Sequence, residues 1–170
     1  MKRIIAAFLV ALLPVAAAAG ILGQNRAVGS AAPLPEDLNV MDNGMRVGAR
    51  VITESTKQPA LESVPGDRLR FEAGFLPPGP LPAGTVALDC TVRFLSARRE
   101  LSDPVKQGTC FDGSRDVAKG EWVTLDVTTV FFPTKDDPSG TSGVVIEITD
   151  TIGGSRLKLM PTYGFSGGKQ

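Results

Sequence analysis

Beyond the first 19 residues, the chain repeatedly alternates apolar and polar residues with a period of two, and no segment has the period of a helix. In the clearest run, Leu88, Cys90, Val92 and Phe94 alternate with Asp89, Thr91 and Arg93. Similar runs, bounded by Gly, Pro or Asp, cover residues 45–51, 69–75, 123–131, 144–149 and 156–159. A period of two places the apolar members of a run on one face of a strand. The pattern therefore predicts six strands, and a seventh, weaker strand should carry Cys110.

These one-sided strands predict an all-β fold, an immunoglobulin-like β-sandwich of about seven strands. A single flat sheet cannot bury so many apolar faces, whereas two sheets packed face to face can. The number of strands and the spacing of the turns resemble those of immunoglobulin-like domains. The resemblance is limited to architecture, because Cys90 and Cys110 are too close in sequence for the usual inter-sheet disulfide. We expect the sandwich over residues 45–164 and a flexible tail over residues 165–170.

The last two strands allow a prediction of register. Gly153-Gly154 lies between two alternating runs and favours a two-residue hairpin turn. With that turn, Ile148 should face Leu159 and Val144 should face Tyr163, all toward the core.

The N-terminal residues have the pattern of a secretory signal. Lys2 and Arg3 precede an apolar run over residues 4–15, and small residues then surround Ala19. This arrangement predicts a signal peptide over residues 1–19. The alternative is an uncleaved single-span anchor, because the uncharged stretch 4–23 is long enough to cross a bilayer. Residues 20–44 lack periodicity and predict an irregular arm or linker, ordered in places around Leu34 and Val40.

Length and composition narrow the classes of function. The 170 residues allow one domain with an arm, and 42% hydrophobic with 21% charged residues is typical of globular proteins. Histidine is absent, so the commonest general base and metal ligand are missing. Without the first 19 residues the chain keeps 16 basic and 18 acidic residues. This balance argues against nucleic acid as a partner.

The two cysteines predict a disulfide. An even number of cysteines in an exported chain is typical of an oxidising compartment, here the periplasm or the exterior. Cys90 and Cys110 do not form the C-x-x-C pattern of redox pairs, and no further Cys or His completes a metal site. The bridge should join neighbouring strands, or a loop to its strand, and stabilise the fold by roughly 3 kcal/mol.

Two patterns suggest catalysis but lack the partners that it needs. Residues 164–168 match the G-x-S-x-G pattern of serine hydrolases, and Ser166-x-x-Lys169 resembles a β-lactamase motif. A serine hydrolase of the first kind needs a histidine base, which the chain lacks. For both motifs, a flexible tail is the favoured interpretation. Asp126 and Glu147 both point outward and could form a carboxylate pair of the kind that glycosidases use. Cross-strand charge pairing, with Lys158 for example, is the favoured interpretation. No catalytic residue is therefore assigned.

Two acidic loops could in principle bind calcium. Asp112 and Asp116 bracket a loop with oxygen ligands at alternate positions, and residues 134–140 form a second acidic loop. The first loop lacks the third acidic position and the distal glutamate of a calcium loop. Ordinary turns are favoured, and we expect neither a metal nor another cofactor.

Two features mark a possible binding surface. Pro77, Pro78 and Pro80 belong to a stiff, proline-rich segment that suits either a docking peptide or a rigid connection between strands. Trp122, the only tryptophan, falls on the outward set of its strand.

Taken with the export signal and the missing catalytic groups, these observations predict a non-catalytic β-sandwich in the cell envelope. It should bind another envelope protein, as an accessory or assembly subunit. A carbohydrate-binding module is the alternative, although it would need several exposed aromatic side chains. A membrane is expected as a partner only if the N-terminal segment stays uncleaved.

Overall fold

The computed structural model describes residues 37–167, which form eleven β-strands in two sheets and no helix. The strands are β1 (Asn39–Val40), β2 (Arg46–Thr53), β3 (Glu62–Ser63), β4 (Leu69–Leu76), β5 (Leu88–Leu95), β6 (Lys106–Phe111), β7 (Val123–Thr124), β8 (Thr129–Phe131), β9 (Gly140–Asp150), β10 (Arg156–Leu159) and β11 (Thr162–Phe165). No helix in the described part of the chain has the length and apolar character to span a bilayer.

The two sheets have five and six strands. The first has the order β1-β2-β4-β7, with β8 also paired to β4. The second has the order β3-β11-β9-β5-β6, with β10 also paired to β9. All pairings are antiparallel except that of β3 with β11. The predicted all-β sandwich is confirmed, whereas the immunoglobulin-like topology stays a prediction.

Four strands are additional to the expected seven: β1 and β3 are short and were not predicted, and the other two arise from interruptions. The run over 123–131 leaves the sheet between β7 and β8, and the stretch over 156–165 breaks at Met160-Pro161 between β10 and β11. Proline has no backbone N–H for a ladder, which explains the second interruption.

The core lies between the sheets and follows the predicted alternation. On β4, for example, Leu69, Phe71, Ala73 and Phe75 are buried, and Arg70 and Glu72 lie on the opposite face. On β9, Val144, Ile146 and Ile148 belong to the same core. Period two therefore identified the core-facing side of the long strands.

Short crossing segments join the sheets at both sides of the sandwich. Ala60 donates its backbone N–H to Val51 of the five-stranded sheet, and Glu62 then pairs with Gly164 of the six-stranded sheet. On the other side, Leu125 donates to Ala73 and Asp126 donates to Cys110. These backbone bonds satisfy groups that the open sheet edges would leave unpaired.

The predicted hairpin register is wrong by two residues. Ile148 faces Leu157 rather than Leu159, and Leu159 faces Ile146. The cause is the carboxylate of Asp150, which accepts the backbone N–H of Ile152 at 3.1 Å and lengthens the turn. Asp150 and Ser155 consequently close a four-residue loop through a backbone hydrogen bond of 2.8 Å. Because the shift is an even number, each side chain keeps its predicted face.

The geometry of this turn explains why glycine occupies positions 153 and 154. A Cβ on Gly153 would lie 2.5 Å from the Asp150 carboxylate, and Gly154 has a φ of +76°. The pair therefore serves the longer turn, not the two-residue turn that it suggested.

Both ends of the predicted sandwich are extended by described residues. Strand β1 and the buried side chain of Met41 come from the segment assigned to the arm. Phe165, assigned to the tail, is buried and pairs with Ser63. The predicted signal peptide, its cleavage site, the alternative anchor and Leu34 lie outside the described residues.

The disulfide is confirmed. Cys90 on β5 and Cys110 on β6 are bonded and buried, with Cα atoms 5.7 Å apart. The bridge joins adjacent strands of one sheet, as the short sequence separation led us to expect. Such a bond is typical of an oxidising, extracytoplasmic compartment.

Candidate functional site

The described residues do not assemble the acidic loops into a metal centre. No group of three or more His, Cys, Asp or Glu side chains suited to a metal occurs within residues 37–167. Asp112 accepts the backbone N–H of Ser114 at 2.9 Å, which lowers the pKa of its carboxyl group. Asp116 accepts the backbone N–H of Ala83 at 2.8 Å. Both carboxylates thus stabilise turns and connections between loops.

The carboxylates of Asp126 and Glu147 are not brought together as a pair. Glu147 lies opposite Lys158 and forms an ion pair with it at 3.0 Å. Asp126 pairs with Lys106 at 2.8 Å, at the segment that crosses between the sheets. The cross-strand charge pairing expected from the sequence therefore accounts for Glu147.

Ser166 lies directly after a strand, in a position set by the backbone. Its N–H donates to the carbonyl of Ser63 at 3.0 Å. Ser166 is exposed. Lys169, the other residue of this pattern, lies outside the described residues.

The proline-rich segment is held as a connection between strands. Pro77 is buried and Pro78 and Pro80 are exposed, as is typical of a loop that lies across a core. Leu81 exchanges two backbone hydrogen bonds with Val117, at 2.9 and 2.8 Å. These bonds tie the segment to the loop that follows β6.

Trp122 is partly buried on the outer face of the five-stranded sheet. Its indole lies so close to Gly74 that a Cβ at that position would be 2.4 Å from Cζ2. Gly74 therefore provides the space that the indole occupies, and the ring covers sheet backbone while part of it remains exposed.

Beside Trp122, the same outer face carries a ribbon of alternating charges. Arg50 and Glu72 are direct cross-strand partners joined at 2.8 Å. Glu54 forms ion pairs with both Arg70 and Arg68. The hydrogen bond from Arg70, more than the charge of Arg68, lowers the pKa of Glu54. The ribbon consists of charges that balance one another, which suits a solvated face.

The feature that best fits a binding site is a groove at the end of the sandwich where β5, β8 and β11 come together. We call it the aromatic groove. Its floor contains Phe94, Phe131 and Tyr163, with ring centroids 4.8 Å apart for the first pair and 5.6 Å for the second. Its rim includes Leu101 and Phe132, which are 51% and 55% exposed. The volume of about 450 Å³ lies in the usual range for ligand sites.

Two loops build the rim of the aromatic groove. Ser102 donates its backbone N–H to Phe94 and accepts the Phe94 N–H on its side-chain oxygen, both at 2.9 Å. This doubled contact holds the neighbouring Leu101 at the mouth of the groove. On the other side, Asp137 accepts the N–H of Thr134 at 2.7 Å and orders the loop after Phe132.

The charged groups that line the aromatic groove are both acidic. Glu100 and Asp137 line it, and no basic side chain of residues 37–167 does so. Burial raises the pKa of the Tyr163 phenol, and the negative charge of Asp137 raises it further. A hydrogen bond with Ser142 acts in the opposite direction.

Sequence periodicity does not distinguish this groove from the core, because it predicts only that Phe94 and Phe131 point inward. In the structure both residues do point inward. Each residue lies at or next to the end of its strand, where the opposite sheet no longer covers it completely. The available signal was that Ser96 lies two residues after Phe94, and Pro133 two residues after Phe131.

Comparisons with known proteins add little. No family model and no curated protein matches the chain. Among solved structures, a family 123 glycoside hydrolase from Clostridium perfringens matches with a TM-score of 0.39 and 11% identity, over 71% of this chain and 27% of that chain. Spo0M, a sporulation control protein from Bacillus subtilis, matches with a TM-score of 0.38 and 14% identity, over 71% and 49%. A Niemann-Pick type C2 protein from the Japanese carpenter ant matches with a TM-score of 0.34 and 7% identity, over 75% and 93%.

The matched part thus spans about a quarter of the first of these proteins and half of the second. Similarities at this level carry no information about what this chain binds or does.

Proposed function

We propose that this protein is a non-catalytic, exported β-sandwich that binds another envelope protein through the aromatic groove. The observation that carries the proposal is the exposure of Leu101 and Phe132 beside partly buried aromatic rings. Large apolar side chains grouped around a concave surface are typical of sites that bind a partner. The predicted signal peptide and the buried disulfide support a periplasmic or secreted location.

Recognition through the groove is favoured over addition of a strand to a sheet edge. Edge strand β6 contains Gly108 at a φ of +130°, and its Cys110 carbonyl already accepts the N–H of Asp126. Edge strand β10 carries Arg156 and Lys158 and ends at Met160-Pro161. Bulges, charges and prolines are the usual means of preventing edge pairing.

The proposal is tested by capture of partners from envelope extracts with immobilised protein. The double variant Leu101→Ser/Phe132→Ser removes the exposed rim, and Leu61→Ser/Ile152→Ser is the control, with residues 80% and 58% exposed elsewhere. We expect the rim variant to recover at least about tenfold less of a partner that the control retains, because the rim contributes apolar contact area. Equal recovery by both variants would place binding elsewhere.

A carbohydrate-binding module is the second candidate. In the groove, the carboxylates of Glu100 and Asp137 could accept hydrogen bonds from sugar hydroxyls, and the phenol of Tyr163 could donate one. Phe94, Phe131 and Tyr163 pack against one another at 52° tilts, however, and so offer less open ring face for stacking. A glycan array separates the two candidates. Only the carbohydrate-binding module predicts saturable glycan binding that the Leu101→Ser/Phe132→Ser variant loses.

A further inference from the structure

We infer that the aromatic groove selects a cationic partner segment: an apolar anchor residue flanked by Lys or Arg. The inference rests on the proposed function and specifies the chemistry of the partner. It is drawn from the sign of the charges around the groove and from the size of the groove.

The charges of the lining have one sign. Glu100 and Asp137 line the aromatic groove, and the side chains of residues 37–167 contribute no cation to it. An apolar anchor placed on Phe94 and Phe131 would bring its neighbouring residues to these carboxylates. Lysine or arginine at those neighbouring positions meets opposite charge, whereas aspartate or glutamate meets like charge.

The cations near the groove are not among the residues that line it. Arg68 lies 5.9 Å from the centroid of the Phe132 ring but forms an ion pair with Glu54. Arg93 donates to the backbone carbonyl of Ser102 at 3.0 Å. Arg98 and Arg99 occupy the exposed turn before Glu100 and are not part of the lining.

The size of the groove limits what part of the partner can enter it. A volume of about 450 Å³ accommodates one or two large side chains and not a whole amphipathic helix. The neighbouring cationic side chains would remain at the rim, where Phe132 offers an exposed ring face for an additional cation–π contact.

Defined peptides test this inference. Fluorescently labelled twelve-residue peptides share a central Leu-Ser-Phe anchor and differ only in flanks of Lys, Ser or Glu. Their affinity for the purified protein is measured by fluorescence anisotropy. We expect Lys flanks to bind about tenfold more tightly than Ser flanks at low salt, with Glu flanks weakest and the contrast reduced at high salt.

Matched variants identify the carboxylates responsible. Glu100→Gln should reduce the Lys-to-Ser contrast about threefold, because one of the two lining charges is lost. Glu147→Gln, which removes an exposed carboxylate paired with Lys158 on another strand, should leave the contrast unchanged. An equal effect of both variants would attribute the contrast to net charge and overturn the inference.

The outcomes distinguish this inference from the proposed function. If all three peptides bind equally and the Leu101→Ser/Phe132→Ser variant loses them all, the groove binds protein but does not select cations. If none binds while an oligosaccharide binds and is lost in that variant, the carbohydrate reading replaces both proposals. If neither kind of probe binds, this inference fails, and the capture experiment with the Leu101→Ser/Phe132→Ser variant decides the proposed function.

Discussion

The two ends of the sandwich differ in how their inward aromatic residues are covered. At one end, the Phe75 ring is fully buried and meets the ring of Phe111 edge-on at a centroid distance of 5.2 Å. Met41 and Met45, which come before β2, are also buried. The amide of Asn43 donates to the Asp150 carboxylate at 3.0 Å and so links the start of β2 to the end of β9. We call this the closed end.

At the opposite end of β9, the aromatic groove lacks such a cover. Phe94 and Phe131 form a similar contact at 4.8 Å, yet both are partly exposed. The neighbouring loops surround these rings and leave a concave opening between Leu101 and Phe132. The same inward alternation thus produces a core at one end and a candidate binding surface at the other, depending on the loops.

A matched pair of substitutions has the largest expected effect and tests this difference directly. Phe75→Ala should lower the free energy of unfolding by about 3–5 kcal/mol, because it leaves a buried cavity. Phe131→Ala should cost only about 1–2 kcal/mol, since water can enter the space that it leaves. Denaturant melts measure both losses. Equal losses would mean that the groove end is as well covered as the closed end.

Removal of the disulfide tests whether the aromatic groove keeps its structure without the covalent link between β5 and β6. Replacing both Cys90 and Cys110 by Ala should cost about 3 kcal/mol, because the unfolded chain regains the freedom of the closed loop. Peptide binding at the groove should persist below the new melting temperature. Two free thiols in the unfolded, unreduced wild-type protein would contradict the structure.

Substitution of Asp150 tests how much the hydrogen bonds to its carboxylate stabilise the closed end. Asp150→Ala removes the acceptor for the Asn43 amide and for the Ile152 N–H, so we expect a loss of about 1–3 kcal/mol. Asn43→Ala should cost less, since the turn contact of Asp150 remains. Hydrogen exchange should show faster opening of residues 150–155 and unchanged protection around the groove. Faster exchange at both ends would show that they are not independent.

Tyr163 reports on the groove end through its pKa. It is the only tyrosine in the chain, so its absorbance titration is unambiguous. Burial and the charge of Asp137 raise its pKa in the folded protein, so the unfolded chain loses the proton first as pH rises. Stability should therefore fall above the ordinary tyrosine pKa of about 10. Asp137→Asn should lower the midpoint of the titration, whereas Glu147→Gln should leave it in place.

The smallest effect is expected on the outer face of the six-stranded sheet, away from both ends. Lys158→Ala removes the exposed ion pair with Glu147 and should cost under about 1 kcal/mol. Neither peptide binding nor the Tyr163 titration should change. A large loss here would mean that this face is covered in the folded protein.

The sequence by itself determined the long strands, their inward faces and the disulfide. Period two assigns a face to each side chain, and two cysteines in a chain with the N-terminal pattern of a secretory signal predict a bridge. Even the error in the hairpin left the faces intact, because Asp150 lengthened the turn by two residues. The loop length escaped prediction because it depends on the contact between a carboxylate and a backbone N–H.

Only the tertiary structure decided which inward residues are covered. Phe75 and Phe131 have the same place in the alternation, and their different exposure depends on loops that are distant in sequence. Trp122 similarly covers Gly74, a contact that neither residue predicts alone. Glu100 and Asp137 line one groove although 36 residues separate them. Periodicity predicts the face of the strand on which a side chain lies. The burial of that side chain and the residues that it contacts depend on how the two sheets and their loops pack.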